Sequence, residues 1–512
     1  MIDVRVEDLP TTDTDVLVVG AGPTGLMAGL VLNRRGVPMV VIDRKAGPTR
    51  ESRALAVQAR TMELYDQLGL ADEVLARAYS AMRLQIGAAG SGFDIDRIQQ
   101  GATRFPGVQI FEQSQNEELL AATLADADAD LRWGHRLVDL VDKTGEPDGR
   151  VEALVEDGDG ALSRIRARWC IGADGASSAV RRALNLPFEG KTDEALFWVA
   201  DVRDVRGVPN GAVNVRFGDA TFALAFPLGP DGHTRFVALA EGETITEADA
   251  LASADAEFGL THGVVEWFSK YKVHHRVASR FQVGSVFLAG DAGHVHSPVG
   301  GQGMNTGLQD AHNLALLLAD VAQGRVAASA LSRYERERRP VALILVNVTD
   351  RAFGVVGRRG PAAALLRNRF GAVMAKVVPR VLQTRFGSRA GAYLGQYRIR
   401  YHFVADDKHP PAWAADPEVG RRVPPAGENQ QALRTMTWQL HTYGAGEVQR
   451  PDLPDWVEGP HAFGADAAGR LRSDRVYLIR PDEFVAAAIP LRGNVIDADE
   501  LRAAVTAHTL IT

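Results

Sequence analysis

Three glycine-rich stretches, each followed or closed by an acid, carry the chemistry legible in this chain. Gly20-Ala21-Gly22-Pro23-Thr24-Gly25 follows the β-branched run Asp15–Val19 and opens the helical segment Thr24–Arg35, which Gly36 stops. Gly20 allows the tight turn, Gly22 lets the backbone approach a pyrophosphate, and Gly25 lets helix and strand pack closely. The free N–H groups at the helix start, with Pro23 and Thr24 among its first residues, carry a partial charge of about +0.5 and suit phosphate. A second strand, Pro38–Asp43, ends in an acid 23 positions after Gly20, near the ~20 expected of a carboxylate on a ribose diol. This unit alone serves any dinucleotide, NAD included.

The later stretches narrow the choice. Gly172-Ala173-Asp174-Gly175 lies mid-chain. Val286–Ala289 is another buried strand and ends in Gly290-Asp291; a Gly/Pro loop, Pro298–Gly303, then leads into a helix from about Met304 through Leu318, with Leu308, Ala311, Ala315 and Leu318 at helical spacing. A second helix N-terminus so far from the first is what a flavin needs. Its reduced ring is negative near N1 and the C2 carbonyl, and N–H groups from Gly300 to Asn305 stabilise that charge. Asp291 is placed to bond ribityl hydroxyls.

These residues resemble the single-component FAD-dependent aromatic hydroxylases (class A flavoprotein monooxygenases), especially the phenol-hydroxylase-like and aromatic polyketide hydroxylase members. The run Gly290-Asp291-Ala292-Gly293-His294-Val295-His296-Ser297-Pro298-Val299-Gly300-Gly301-Gln302-Gly303-Met304-Asn305, followed by Gln309-Asp310-Ala311-His312-Asn313-Leu314, is similar to that family's signature. The middle motif looks like its Asp-Gly segment, and the resemblance implies that Asp174 serves both FAD and the passing nicotinamide cofactor. Arg44 after Asp43, Arg53 in Ser52-Arg53-Ala54, Gln113 ahead of Glu117-Glu118-Leu119-Leu120, and Leu137 on a strand match further FAD contacts of the family. The resemblance spans about residues 16–342. Departures are small: Asp43 replaces a commoner Glu, Gly293 a frequent Ala, and Ser285 a frequent Arg.

What the family implies is an α/β chain with a Rossmann-like FAD-binding domain (1–187 and 281–355), an inserted antiparallel β-sheet substrate domain (188–280), a helical connection (356–410) and a thioredoxin-like C-terminal domain (411–512). NAD(P)H reduces FAD, O2 adds at flavin C4a, and the hydroperoxide transfers OH to an electron-rich aromatic ring. Arg53, Pro298 and Gly301 are the expected residues at the reactive edge. Inactivation of a tetracycline- or rifamycin-like antibiotic is the second reading; a non-catalytic flavin-binding redox partner is the third. No two of the seven tryptophans lie two apart, so the Trp-x-Trp signature of flavin halogenases is missing.

The elements around these motifs fit the same plan. Phe197–Val202, Val213–Phe217, Thr221–Pro227 and Arg235–Leu239 read as strands of the substrate sheet, with Phe217, Phe222, Phe226 and Phe236 as core residues or pocket walls. Residues 331–349 read as a long helix, and 361–397 as a solvated basic amphipathic segment. Arg480-Pro481-Asp482 resembles the hairpin of the family's C-terminal domain, with Glu483 where Gly is usual and Ala488 near a usual Arg; packing or a homodimer contact is its expected role. His294 and His296 read as structural hydrogen-bonding groups with no metal, and Asp310 and Asn313 as helix-positioning groups.

With 512 residues, two to four domains are expected. A net charge of −7 with both signs mixed argues against a nucleic-acid or membrane surface. The single cysteine, Cys170, permits no internal disulfide, fits a reducing cytoplasm, and sits in an apolar run that predicts burial.

Overall fold

The computed structural model describes residues 8–50, 54–86, 92–217, 222–240, 244–296, 301–356, 385–404 and 409–511. Arg53, Pro298 and Gly300 lie outside them, as does most of the basic segment 361–397. Among the described residues no helix is long and apolar enough to cross a membrane.

The chain organises itself around a mainly parallel sheet whose central stretches, Val16–Val19, Val40–Ile42, Trp169–Ile171 and Val286–Leu288, are apolar and buried, as strands covered on both faces must be. Val286–Leu288, Leu162–Gly172, Thr11–Val19, Met39–Asp43 and Asp130–Trp133 lie side by side in that order, all parallel. The register sets Val19 beside Gly172, and Gly172 beside Leu288. The three glycine motifs, more than a hundred residues apart in sequence, therefore emerge together from the carboxyl ends of three adjacent strands. That end is where open α/β sheets bind ligands. Pro23–Arg34 packs on the sheet and Gly303–Ala322 packs on Pro23–Arg34, both with their apolar residues buried and each starting one residue before the helix start read in the sequence. Cys170 is buried in the middle strand, and burial pushes its thiol well up.

The second sheet is antiparallel except where Arg83–Ile86 pairs parallel with Ala212–Phe217. All four strands read in the sequence form: Phe188–Val202, Ala212–Phe217, Phe222–Pro227 and Thr234–Leu239. The first starts nine residues earlier than expected. Its partner, the fourteen-residue strand Val265–Ala278, was not anticipated and runs antiparallel along most of its length. The sheet also recruits Arg83–Ile86, Gly92–Asp94 and His294–Val295 from outside the segment 188–280.

A third sheet, in the order Val457–Phe463, Trp438–Tyr443, Arg475–Ile479, Val485–Arg492, Val495–Ile496, forms the C-terminal unit, and only its first pair is parallel. Its core merges with that of the parallel sheet: Trp438, Val476 and Leu478 belong to the same buried cluster as Val16 and Leu314. Trp438 Nε1 donates to Asp320 at 2.8 Å, and Arg35 meets the same carboxylate at 2.8 Å. The Arg480-Pro481-Asp482 hairpin turns inward, where it makes a packing contact within the chain. Arg480 donates to both oxygens of Glu337 (2.6 and 2.9 Å) and both of Asp482 (2.9 and 2.7 Å). Asn313, on the central helix, donates to Glu337 at 2.9 Å and to Asp482 at 3.0 Å. Arg60 pairs with Glu63 and Glu483 and donates to the Asp482 carbonyl.

Candidate active site

The carboxyl ends of the parallel strands and one side of the antiparallel sheet enclose a cavity of about 660 Å³, within the size range of small-molecule sites. Gly22, Pro23 and Thr24 from the first motif, Ala173 and Gly175 from the second, and Asp291 with Gly301, Gln302, Gly303 and Met304 from the third all line it. Gln113 does too. Leu224, Phe226, Val237, Trp267 and Tyr271 line the side formed by the antiparallel sheet.

Close backbone contact explains why glycines occupy the bend. Gly20 has φ +107°, and a Cβ there would stand 2.4 Å from the Ala173 carbonyl oxygen. A Cβ on Gly25 would stand 1.7 Å from the Gly20 carbonyl oxygen. At Gly22 a Cβ would meet nothing within 4 Å, so this glycine keeps the helix start open and bare toward the cavity. Thr24 is the wedge between the two halves: added Cβ atoms at Gly290 or Gly307 would each lie 2.5 Å from its Oγ1. Neither Gly22 nor Gln302, the residues before the two helices, provides a side-chain cap. Two helix starts that lack a side-chain cap from these residues thus converge on one space.

The side chains around them divide into open and committed groups. Asp43 Oδ2 accepts from the Ala21 N–H at 2.6 Å and Oδ1 from the Lys45 N–H at 2.8 Å, which pins the acid beside the glycine bend. Asp291 faces the cavity. Its surroundings deep in the fold raise its carboxyl above the usual carboxylate range, chiefly by desolvation, with Asp310 adding and His294 opposing. Gln113 holds Glu117 at 2.9 Å and its N–H holds the Ala54 carbonyl at 2.9 Å. Asp174 accepts the N–H groups of Ala179 (2.6 Å) and Val180 (3.2 Å), capping the short helix Ala179–Ala183, while its other oxygen is buried with no partner among the described residues.

Asn305 is committed altogether. Its Oδ1 accepts from Gln58 N–H (2.9 Å) and Thr61 Oγ1 (2.7 Å), and its Nδ2 donates to the carbonyls of Ala56 (2.7 Å) and Gly301 (2.9 Å). Only its backbone is left for a ligand. Behind the Gly290 turn, Asp310 accepts from His294 Nε2 (2.7 Å), Arg338 Nε (2.7 Å) and the Gly290 N–H (3.2 Å). The guanidinium of Arg338, with His294, holds the Asp310 carboxyl below its ordinary value against burial. Asp310 and His294 therefore position the turn, and Asn313 positions the hairpin behind it.

Not every residue singled out in the sequence reaches the cavity. Leu137 is buried in the strand Arg136–Asp142, paired with Val155, and Arg44 is exposed beyond Asp43; neither lines the cavity. Of the four phenylalanines, Phe226 lines it, whereas Phe236 packs on Phe258 in the core behind the sheet. The side chains of Phe217 and Phe222 lie outside the described residues. Trp267, Tyr271, Lys272 and His274 also line the cavity, on a strand whose apolar Val265, Trp267, Tyr271 and Val273 share one face, an alternation interrupted by Phe268 and Ser269.

The donors fit a flavin dinucleotide: bare N–H groups for its phosphates and ring edge, and carboxylates for its hydroxyls. Similarity to known proteins points the same way. Residues 13–349 match the model of the FAD_binding_3 family, described as FAD binding domain. The chain is 37% identical over 363 residues to 6-methylpretetramide 4-monooxygenase from Streptomyces rimosus, covering 68% of this chain and 63% of that protein. It is 34% identical over 519 residues to 12-dehydrotetracycline 5-monooxygenase/anhydrotetracycline 6-monooxygenase from Streptomyces rimosus subsp. rimosus, covering 95% and 98% of the two chains. The solved structure of OxyS anhydrotetracycline hydroxylase from Streptomyces rimosus superposes with a TM-score of 0.74 at 27% identity, over 97% of this chain and 99% of that one. The chain belongs to the FAD-binding family of FAD-dependent aromatic-compound monooxygenases.

Proposed function

We propose that the protein hydroxylates an electron-rich aromatic ring, phenolic or polycyclic and polyketide-like, with NAD(P)H and O2. The observation that carries this reading is the convergence of two helix N-termini on a cavity whose facing wall is largely aromatic and aliphatic, with Ser269, Lys272 and His274 beside the apolar residues. Bound FAD supplies the electron transfer and the activation of oxygen. The chain's part is to hold and shield. The N–H groups around Gly22–Gly25 take the pyrophosphate, Asp43 the ribose diol, and Asp291 the ribityl hydroxyls. Gly301, Gln302, Gly303 and Met304 present N–H groups to the pyrimidine edge of the ring. Arg53, Pro298 and Gly301 are assigned to the reactive edge by the motifs, and of these Gly301 lines the cavity. Leu224, Phe226, Val237, Trp267 and Tyr271 keep water from the ring and stack on a flat substrate.

The relatives named for tetracycline-type substrates favour a fused polycycle over a single ring, and they leave a biosynthetic and an antibiotic-inactivating role equally supported. The domain boundaries given above, a thioredoxin-like reading of the C-terminal sheet, a cytoplasmic location and a homodimer form part of this reading. The test is a panel of simple phenols, hydroxylated anthraquinones, anhydrotetracycline and tetracycline, with NADPH and NADH as reductants. The expected result is substrate-stimulated NAD(P)H oxidation matched by oxygen uptake and by a product heavier by one oxygen. Protein that takes up FAD yet oxidises none of these would instead support a redox-partner role.

A further inference from the structure

We propose that Arg235 is a positioning residue for the oxygen transfer, setting the gap between the aromatic wall of the cavity and its flavin wall. The inference rests on the function proposed above. Arg235 lies on Thr234–Leu239 in the middle of the antiparallel sheet and is 1% exposed. Its Nε and Nη2 grip the two oxygens of Asp201, each at 2.6 Å, directly across the ladder. The same Nη2 reaches out of the sheet to Glu112 Oε2 at 2.6 Å.

Glu112 is no ordinary surface acid. It is the N-cap of the helix Gln113–Asp126, where it forms a capping box with Gln115. The next residue, Gln113, lines the flavin side of the cavity. Arg235 also lies 5.4 Å from the centre of the Trp267 ring, which lines the substrate side. One buried guanidinium thus touches both the cap that fixes one wall and the ring that forms the other.

Charge balance separates alignment from simple neutralisation. Asp201 alone neutralises Arg235 with bidentate geometry. Glu112 adds a second anion that neutralisation does not require. Buried ion pairs are poor sources of stability compared with apolar packing, and one well-attested use of such groups is to fix a register. The rigid guanidinium fork holds both partners at set angles, which a lysine cannot do.

The test uses FAD-loaded protein and two variants. Glu112→Gln keeps an oxygen to cap the helix but removes the charge facing Nη2. Arg235→Lys keeps the charge but removes the fork. Arg502→Gln, on the exposed face of the C-terminal helix, is the control. Both site variants should bind FAD and be reduced by NADPH within about threefold of the parent, while hydroxylated product per NADPH falls about tenfold and hydrogen peroxide accounts for the difference, as expected when reacting groups are misplaced. The shift in the visible spectrum of bound FAD on adding anhydrotetracycline or a hydroxylated anthraquinone, read without turnover, should shrink in parallel. An unchanged product-to-NADPH ratio and spectral shift in folded variants overturns the proposal, and so does loss of FAD as the main effect. If the parent hydroxylates nothing in the panel, the proposed function fails on its own, and the spectral shift still decides the alignment.

Discussion

At the carboxyl ends of the parallel strands two helix N-termini stand without side-chain caps and Asp291 looks into open space. Behind the central helix Gly303–Ala322, the seam with the C-terminal unit does the reverse. Glu337, Asp482, Arg480 and Asn313 are buried there, and Arg480 and Asn313 each donate to both carboxylates. The same residue types serve opposite ends. An open polar group keeps its bonding capacity for a ligand, whereas a buried one must spend it within the protein. Arg480 and Asp43 look equally promising in a list of charged residues. Only their partners tell a cradle from a joint.

Substitutions can break this contrast at either end. The largest effect is expected at the front, from Gly25→Val. Its Cβ would stand 1.7 Å from the Gly20 carbonyl oxygen, so the bend must open, and the protein should purify without the yellow absorbance of bound flavin. At the rear, Arg480→Met leaves the carboxylates of Glu337 and Asp482 buried without their main partner, which costs about 3–5 kcal/mol. A thermal melt should show a large drop, while FAD bound at low temperature stays near the parent's level. Retained melting temperature would mean that the seam is not what fastens the C-terminal unit.

A smaller front-side effect is expected from Asp43→Ala, which removes the acceptor of the Ala21 N–H and the proposed ribose contact; charge-assisted bonds of this kind contribute about 1.5–3 kcal/mol. FAD affinity by fluorescence titration should weaken by about tenfold or more, and the apoprotein, having lost the acceptor of the Ala21 and Lys45 N–H groups, should melt a few degrees lower. The subtlest test is pH. Burial lifts the Glu483 carboxyl from its ordinary 4.5 to about 7, against the pull of Arg60. The folded state therefore favours the protonated form. That contribution is complete below about pH 4.5 and is lost as pH rises through about 7. The parent's melting temperature should fall across that window, and Glu483→Gln should flatten the profile. Parallel profiles would falsify the assignment of Glu483 as the titrating group.

How much of this was legible beforehand differs by element. The bend at Gly20–Gly25, both FAD-facing helices and the buried Cys170 followed from periodicity and from residues with few alternatives. The long strand Val265–Ala278 is hard to read in sequence because Ser269 and His275 interrupt its apolar face and Phe268 its polar one. Phe226 and Phe236 share a residue type and neighbouring strands, yet one reaches the cavity and the other the core. Strand side chains choose a face by register, which pairing sets. Asn305, expected to contact the cofactor, has its side chain fully bonded within the protein, which leaves its backbone for that contact.

Local sequence settled what local physics controls. It set which turns need a missing Cβ, which helix starts go uncapped, and which strands are apolar on both faces. Strand order alone brought Val19, Gly172 and Leu288 side by side and so made one site of three distant motifs. Packing of the antiparallel sheet against the start of the helix Gln113–Asp126 carried Arg235 to Glu112, 123 positions away in sequence. Such pairings depend on how remote segments bury their shared apolar surface, a property of the assembled chain and not of any stretch within it.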